Sequence, residues 1–531
     1  MPTEQIALAA ATAEPSACPE PAQEAELKLL ASKETLVRLR EAPVIVRHAR
    51  NSGTTRRLDA IYYDTPDQAL YRNGLSLRVR RNGRRYVQTL KRTPVSGSPF
   101  TRDEWETPVT GADPELNLLP AAELGALPDP PGAGGLMPVF STRVRRRTQR
   151  LDFAGSVVEV AFDDGVIESG ERREQVSEVE LELKSGVPRA LYDLGLELVK
   201  TAGLRIGTRS KADRGYGIAF DLSPQPVKAA VPPLSSGCTV DDIIAVLLGA
   251  CQQQLLANQA VAEAARDTEG VHQMRVALRR LRTALAVLKR ELALPALQAF
   301  DDDAKWLARL LGAARDWDVF VTDTLAGPAE ALGAAVDFDA LRQAVAPHRE
   351  AAYAALRDAF GSERYNRFHL SLQRWISSRG WRNELAGQPL AVLVEDGAAF
   401  SGRVLGRLHR KVLRQGRHFA RLPPEARHDV RLGLKKLRYA VEFFQELHGT
   451  KSEAKKYIQC IARLQDTLGH QNDALTTLPR LHALADGVVT HEAERSIGAV
   501  MGWQARDRLA ANTTLRKQWR RFKALAPIWA N

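Results

Sequence analysis

Cysteine is scarce in this chain. Its four cysteines, Cys18, Cys238, Cys251 and Cys460, lie far apart and in no metal-ligand spacing. That excludes a disulfide framework and a zinc ribbon, and it suits a reducing cytoplasm. Aromatic residues are few, at 6%, yet an apolar content of 44% is enough for packed cores and excludes wholesale disorder. No apolar run reaches the roughly 18–20 residues of a membrane span, so no membrane partner is expected. The Walker pattern G-x-x-x-x-G-K-[ST] is missing, which excludes a nucleotide P-loop as the phosphate device. The first residues, MPTEQIALAAATAEPSACPE, have no basic start before their small-residue run. They do not read as a secretory signal, and residues 1–21 are expected to form a disordered tail.

What is present is a long chain with lopsided charge. A length of 531 residues exceeds one ordinary core, so two domains are expected. The net charge is +12. Residues 1–221 hold 31 Lys+Arg against 31 Asp+Glu, while residues 222–531 hold 44 against 32. Residues 401–440 alone carry 12 basic and 2 acidic residues. A polyanion partner for the C-terminal half fits this excess, as does a plain solvated helical surface. Between the halves, residues 221–239 contain Pro224, Pro226, Pro232, Pro233, Ser235, Ser236 and Gly237 and read as a linker with few obligatory contacts across it. Short alternating runs dominate before it and helical periodicity after it. The expected class is α+β: a strand-rich domain, then an all-α domain.

In the first half, charge alternates with apolar residues at period two. Glu24, Glu26 and Lys28 alternate with Ala25, Leu27 and Leu29. Arg78 and Arg80 alternate with Leu77 and Val79. Glu104 and Glu106 flank Trp105. Glu159 and Asp163 alternate with Val158, Val160 and Phe162, and Glu178, Glu180 and Glu182 with Val179, Leu181 and Leu183. Residues two apart share one face of a strand. One such strand would ordinarily turn its polar face to water. Here some strands carry only acid on that face and others only base. Such segregation points to a shared interior, with carboxylates for a hard cation and Lys and Arg for phosphate oxygens.

These residues carry a resemblance. Glu24-Ala25-Glu26-Leu27-Lys28 resembles the ExExK signature of the CYTH, or triphosphate tunnel metalloenzyme, superfamily. Tyr62-Tyr63-Asp64-Thr65-Pro66 and Gly74-Leu75-Ser76-Leu77-Arg78-Val79-Arg80 resemble its second signature. Thr89-Leu90-Lys91 resembles its basic strand, and Arg102-Asp103-Glu104-Trp105-Glu106 its acidic return strand. Arg146, an Asp163-Asp164-Gly165 turn, Glu178 to Leu183 and Ser210-Lys211 follow in order. The resemblance covers residues 22–220 and implies an antiparallel eight-stranded β tunnel that works on triphosphates with a divalent metal, Mg2+ or Mn2+. Carried over by motif, Glu24, Glu26, Glu180 and Glu182 would hold metal. Glu24, Glu26 and Lys28 would be catalytic, and Arg78, Arg80, Lys91, Glu104, Arg146 and Lys211 would bind substrate. Arg56 and Arg57 match no motif. No site for an adenine or thiamine ring is evident, so inorganic triphosphate is the expected substrate, hydrolysed to diphosphate and phosphate. Thiamine or nucleoside triphosphates, or a class IV adenylate cyclase reaction, are the rivals.

The second half contains a duplication. VHQMRVALRRLRTALAVLKREL at 271–292 aligns with RHDVRLGLKKLRYAVEFFQELH at 427–448. The apolar set Met274, Leu278, Leu281, Leu285 and Leu288 matches Val430, Leu434, Leu437, Val441 and Phe444 and forms an amphipathic stripe. His272, Arg275, Arg279 and Arg282 match His428, Arg431, Lys435 and Arg438 and form a second, basic stripe. Leu311-Gly312…Asp316 likewise matches Leu468-Gly469…Asp473. Two pseudo-symmetric helical bundles are expected. The repeated H-x-x-R-x-x-x-[RK]-[RK]-L-R and the Leu-Gly…Asp segments are similar to the CHAD domain, an α-helical fold with characteristic histidines, over residues 240–525. That resemblance implies binding of inorganic polyphosphate by the eight residues of the basic stripes. Those stripes contain few aromatics, Tyr439 excepted, which disfavours nucleic acid. A rival reading without catalysis is a polyphosphate-binding scaffold whose tunnel only senses its ligand.

Overall fold

The computed structural model describes residues 22–92, 100–120, 123, 135–333, 335–485, 490–510 and 512–529. The expected N-terminal tail lies outside the described residues.

Nine strands form one antiparallel sheet: β1 (Ala22–Leu30), β2 (Thr54–Asp64), β3 (Leu75–Asn82), β4 (Arg85–Arg92), β5 (Thr101–Val109), β6 (Met137–Phe153), β7 (Ser156–Ser169), β8 (Arg172–Ser185) and β9 (Arg205–Ile206). Their order is β5-β4-β3-β2-β6-β7-β8-β1-β9, and β5 also pairs with β1, which closes eight strands into a barrel. The ninth strand is the departure from the expected eight. β5 covers β1 only from Ala22 to Ala25, and β9 pairs with the edge it leaves at Leu29 and Leu30. The edge left by β5 runs from Glu26 to Leu30, and β9 pairs with its last two residues.

The barrel is polar inside and apolar outside. Leu27, Leu29, Val158, Val160, Phe162, Val179 and Leu181 point outward into one core, covered by helix α1 (Pro188–Ala202) through Leu191, Leu194 and Leu198. Leu75, Leu77, Val79, Leu90 and Trp105 form a second outer cluster. The intervening charged residues are thereby turned into the bore. Helix α2 (Lys211–Phe220) begins with a capping box on Ser210 and Asp213, which aims Lys211 at the barrel.

The helical half comprises α3 (Val240–Ala264), α4 (Thr268–Leu292), α5 (Ala296–Val319), α6 (Phe338–Gly361), α7 (Glu363–Ser377), α8 (Gly397–Gln415), α9 (Pro424–Phe444), α10 (Lys451–Ala485), α11 (His491–Ala510) and α12 (Asn512–Lys523). All ten residues of the two matched apolar stripes are buried, and they belong to one core. Helix α3 has the length and apolar composition of a membrane span despite its interrupting polar residues, but 67% of that window is buried inside the protein. Its core position accounts for the composition.

The expectation of few contacts across residues 221–239 is not met. Leu256 of α3 and Leu370 of α7 are buried in the barrel's outer core. Gly195 on α1 makes room for this seam, because a Cβ there would lie 2.6 Å from Leu27 Cδ2 and 3.6 Å from Leu370 Cδ1. The Ile206 N–H donates to Asn366 Oδ1 of α7 at 2.7 Å, and Arg205 pairs with Glu263 at 2.6 Å. Burying each leucine is worth roughly 1.5–3 kcal/mol, so the halves are docked rather than tethered.

His369 stands in the same helix, fully buried, with no hydrogen-bond partner at either ring nitrogen among the described residues. Burial pushes its pKa down to about 3. The unfolded chain takes up a proton near pH 6.5 and the folded chain does not. Stability from this group is therefore complete above pH 6.5 and declines as the pH falls toward 3. Between pH 7.5 and 5.5 the decline should be about 1.4 kcal/mol. Denaturant unfolding of the helical core at both pH values should show a flatter dependence in His369→Phe than in the parent. Equal slopes would refute the assignment.

Candidate active site

Strand register sets the order of charges in the bore. Glu26 on β1 lies opposite Glu182 on β8, which lies opposite Glu159 on β7. Lys28 lies opposite Glu180. One step further, Glu178 faces Asp163, and Asp163 faces Arg146 on β6. With Arg78, Arg80, Thr89, Lys91, Glu104, Glu106 and Lys211, most of these residues line a cavity of about 720 Å³.

On one wall, three buried carboxylates meet converging cations. Lys28 Nζ lies 2.5 Å from Glu180 Oε1 and 3.0 Å from Glu178 Oε1. Lys211 Nζ lies 2.7 Å from Asp163 Oδ2, 2.5 Å from Glu178 and 2.8 Å from Glu180. Arg146 forks onto Asp163 at 2.7 and 2.6 Å and also bonds Glu180. Arg214 approaches Glu178 at 3.4 Å. Burial alone would neutralise such groups, but their mutual attraction outweighs it. Desolvation opposes charge on Glu180 and Asp163, yet Arg146 and Lys211 hold both carboxyls below their usual range, Glu180 well below. Desolvation likewise opposes charge on Lys28 and Lys211, and their carboxylate partners raise both.

The facing wall is basic. Arg78 lies opposite both Tyr62 and Thr89 in register, and Lys91 opposite Glu104. Glu104 is 3.1 Å from Lys91 and 3.7 Å from Arg78, and Glu106 is 3.1 Å from Arg80. Arg78, then burial, pulls the Arg80 pKa down, the sign of two cations held side by side.

Of the residues assigned from sequence, the structure brings Glu26, Lys28, Arg78, Arg80, Lys91, Glu104, Arg146, Glu180, Glu182 and Lys211 to one cavity. Glu24 is on β1 opposite Arg102, but its side chain lies outside the described residues. Arg56 and Arg57 sit at the exposed end of β2. Asp163, Glu178, Glu159, Glu106 and Thr89 were not assigned, although Glu178, Glu106 and Thr89 stand two residues from Glu180, Glu104 and Lys91, and Glu159 and Asp163, four apart, share one strand face. The expected Asp163-Asp164-Gly165 turn is a correction: all three residues run inside β7. Gly165 serves close approach there, since a Cβ would lie 2.2 Å from the Arg143 carbonyl oxygen.

The donor set is compatible with a hard divalent cation, because it offers carboxylate oxygens and neither nitrogen nor sulfur. Asp163, Glu178 and Glu180 can each place an oxygen within 4.8 Å of the others. Those three carboxylates already answer Lys28, Arg146, Lys211 and Arg214. In the Glu26–Glu182–Glu159 row, Lys28 lies 3.6 Å from Glu26, Lys184 lies near Glu182 and Glu159 and Arg150 near Glu159.

In the helical half, His272, Arg275, Arg279 and Arg282 and their counterparts His428, Arg431, Lys435 and Arg438 are all partly buried. A Cβ on Gly312 would lie 2.8 Å from Arg275 Nη1, and one on Gly469 would lie 3.0 Å from Arg431 Nη2. The duplicated glycine thus lets the duplicated arginine lie against the next helix. Arg282 pairs with Asp301 at 3.0 Å, and Arg438 with Glu442 at 3.4 Å. Burial and then Arg315 push the His272 pKa down. The Asp473 side chain lies outside the described residues.

Residues 22–216 match the CYTH domain family, and residues 246–482 match the CHAD domain family. An inorganic triphosphatase of Haemophilus influenzae is 32% identical over 200 residues, 36% of this chain and 54% of that protein. The match therefore spans about half of that relative's length. An uncharacterized protein of Mycobacterium tuberculosis (strain H37Rv) is 26% identical over 83% of this chain and 84% of its own. The crystal structure of the CHAD domain from the plant Ricinus communis is 27% identical and covers 57% of this chain and 98% of that one, with a TM-score of 0.47.

Proposed function

We propose, from the premise that this chain is a CYTH domain over residues 22–216 followed by a CHAD domain over residues 246–482, that its bore hydrolyses inorganic triphosphate to diphosphate and phosphate. The observation that carries this reading is the convergence of Lys28, Arg78, Arg80, Lys91, Arg146 and Lys211 on one cavity. A triphosphate is a short, dense anion, and this many fixed cations repay its desolvation.

In the reaction, a water oxygen bonds the terminal phosphorus, the bridging P–O bond breaks, and its electron pair leaves with diphosphate. Phosphoryl transfer asks the protein mainly for in-line positioning and charge neutralisation. Arg146, Lys28 and Lys211 grip one end of the chain, exchanging carboxylate partners for phosphate oxygens. Arg78, Arg80 and Lys91 neutralise the other. Glu24, Glu26, Glu180 and Glu182 would hold Mg2+ or Mn2+. When bound, that cation supplies Lewis-acid neutralisation of phosphate charge.

Two tyrosines on the cavity border are each stacked on another ring. Tyr62 spends one face on Phe140 at 4.4 Å and Tyr71 one face on Tyr216 at 4.2 Å. Triphosphate, thiamine triphosphate and ATP should be compared with Mg2+ and with Mn2+, reading released phosphate and cyclic nucleotide. Inorganic triphosphate should give the highest kcat/KM. A cyclic product, or no turnover of any of them, would overturn the reading in favour of a cyclase or a scaffold.

The helical half is read as a polyphosphate-binding surface made by His272, Arg275, Arg279, Arg282, His428, Arg431, Lys435 and Arg438. Six of these eight are partly buried, positioned Arg and Lys cations, which support this reading better than a solvated face does. The unpaired Cys238, Cys251 and Cys460 support a cytoplasmic setting.

A further inference from the structure

Gln225 and Val227 belong to the segment between α2 and α3, yet they line the same cavity as Lys28, Arg78 and Glu180. That segment has no helix or strand of its own, so its position must be imposed from outside. One side chain takes both backbone groups of Val227. The Val227 N–H donates to Asn258 Oδ1 at 2.9 Å, and Asn258 Nδ2 donates to the Val227 carbonyl at 2.8 Å. Asn258 is fully buried on α3, and its amide is completed by the Gln254 carbonyl at 2.8 Å. Three residues on, the Ala230 carbonyl accepts from Arg280 of α4 at 3.1 Å. The Arg280 guanidinium lies over the Phe443 ring of α9, 5.1 Å from its centroid. Leu234 is then buried in the helical core. At the near end, the Leu222 N–H bonds the Gly217 carbonyl at 3.0 Å. The strap is pinned at both ends, and the helical half supplies most of the pins.

The two side chains it brings to the bore are unlike the rest of the lining. Gln225 turns its amide back to the Ser223 carbonyl at 3.0 Å, and Val227 is apolar and exposed. Neither adds charge for a phosphate; what they add is bulk beside the cations. A bare phosphate chain needs no further space, whereas a triphosphate ester must also find room for its sugar or ring.

We propose that Gln225 and Val227 determine specificity by narrowing the bore against triphosphates that carry an organic group, and that Asn258 and Arg280 are positioning residues for them. This rests on the triphosphatase reading above.

The test uses the full chain and two numbers, the KM for triphosphate and the inhibition constant of ATP against it. Removing the bulk with the double change Gln225→Gly and Val227→Gly should lower the ratio of the ATP constant to the triphosphate KM by roughly tenfold, the scale of a lost hydrophobic contact in a selective pocket. Val227→Trp should raise it. Asn258→Ala should act like the double glycine change, whereas a merely structural loss would worsen both constants together. Should Asn258→Ala fail to fold, the exposed-position variants still decide the matter. A ratio unmoved by both the glycine and the tryptophan changes, in a chain that turns over triphosphate, would overturn the inference. A parent chain that fails to turn over triphosphate would instead overturn the functional reading beneath it.

Discussion

Exchanging Glu26 for glutamine should lower triphosphate turnover by about 10²–10³-fold, the usual loss of one preorganised charge at a reacting centre. Glu26 stands in register with Glu182, and Glu182 with Glu159. Across the bore's acidic wall, Asp163, Glu178 and Glu180 are outnumbered by Lys28, Arg146, Lys211 and Arg214. Glu26 belongs, with Glu180 and Glu182, to the set proposed to hold the divalent cation, so removing its charge weakens that set. Glutamine keeps the volume and removes the charge, so the barrel should remain folded. Adding Glu182→Gln should cost little more, because residues acting as one unit are not additive. Phosphate release across a Mg2+ series, run beside a thermal melt, checks this. A folded Glu26→Gln chain with full activity would end the assignment.

Reversing Arg275 and Arg431 together to glutamate should weaken long polyphosphate by at least about 10²-fold, since each charge-assisted hydrogen bond contributes roughly 1.5–3 kcal/mol. Both guanidinium groups lie against a glycine of the following helix, which fixes where they can meet an anion. Affinity in the parent should fall steeply with salt, by analogy with counterion release from nucleic acids, and less steeply in the variant. Gly312→Ala and Gly469→Ala should act in the same direction by displacing the arginines. Titration of the full chain at two salt concentrations measures all of this. Unchanged affinity in the double reversal would return the stripes to the role of solvated helix faces.

The two halves were legible to different depths. Period-two alternation exposed the bore because Leu27 and Leu29 had to go outward if Glu26 and Lys28 went inward; one face cannot take both. The duplicated helices were legible for the same reason, since every matched apolar position is buried. Asp163-Asp164-Gly165 misled because turn residues inside a strand look like a turn until the neighbouring strand is in place. The Arg282–Asp301 pair joins two helices, and sequence spacing carries no signal for it. A strand as short as β9 has no periodicity to read, because it exists only to complete an edge. The linker misled most: proline and serine describe local stiffness and say nothing of what Asn258 will hold.

The seam of Leu256 and Leu370 also bears on how the chain is made. The barrel's strands and α1 leave the ribosome before either leucine exists, and 150 residues separate Phe220 from Leu370. At about 5–20 residues per second, that leaves the seam uncovered for roughly 8–30 s. During this interval the face of α1 around Gly195 that later meets Leu370 has water or another nascent chain as its neighbour. The polar bore gives no refuge, because the apolar surface of this barrel is its outer one. A recombinant N-terminal half therefore ends its synthesis in the sticky state that the full-length polypeptide only passes through.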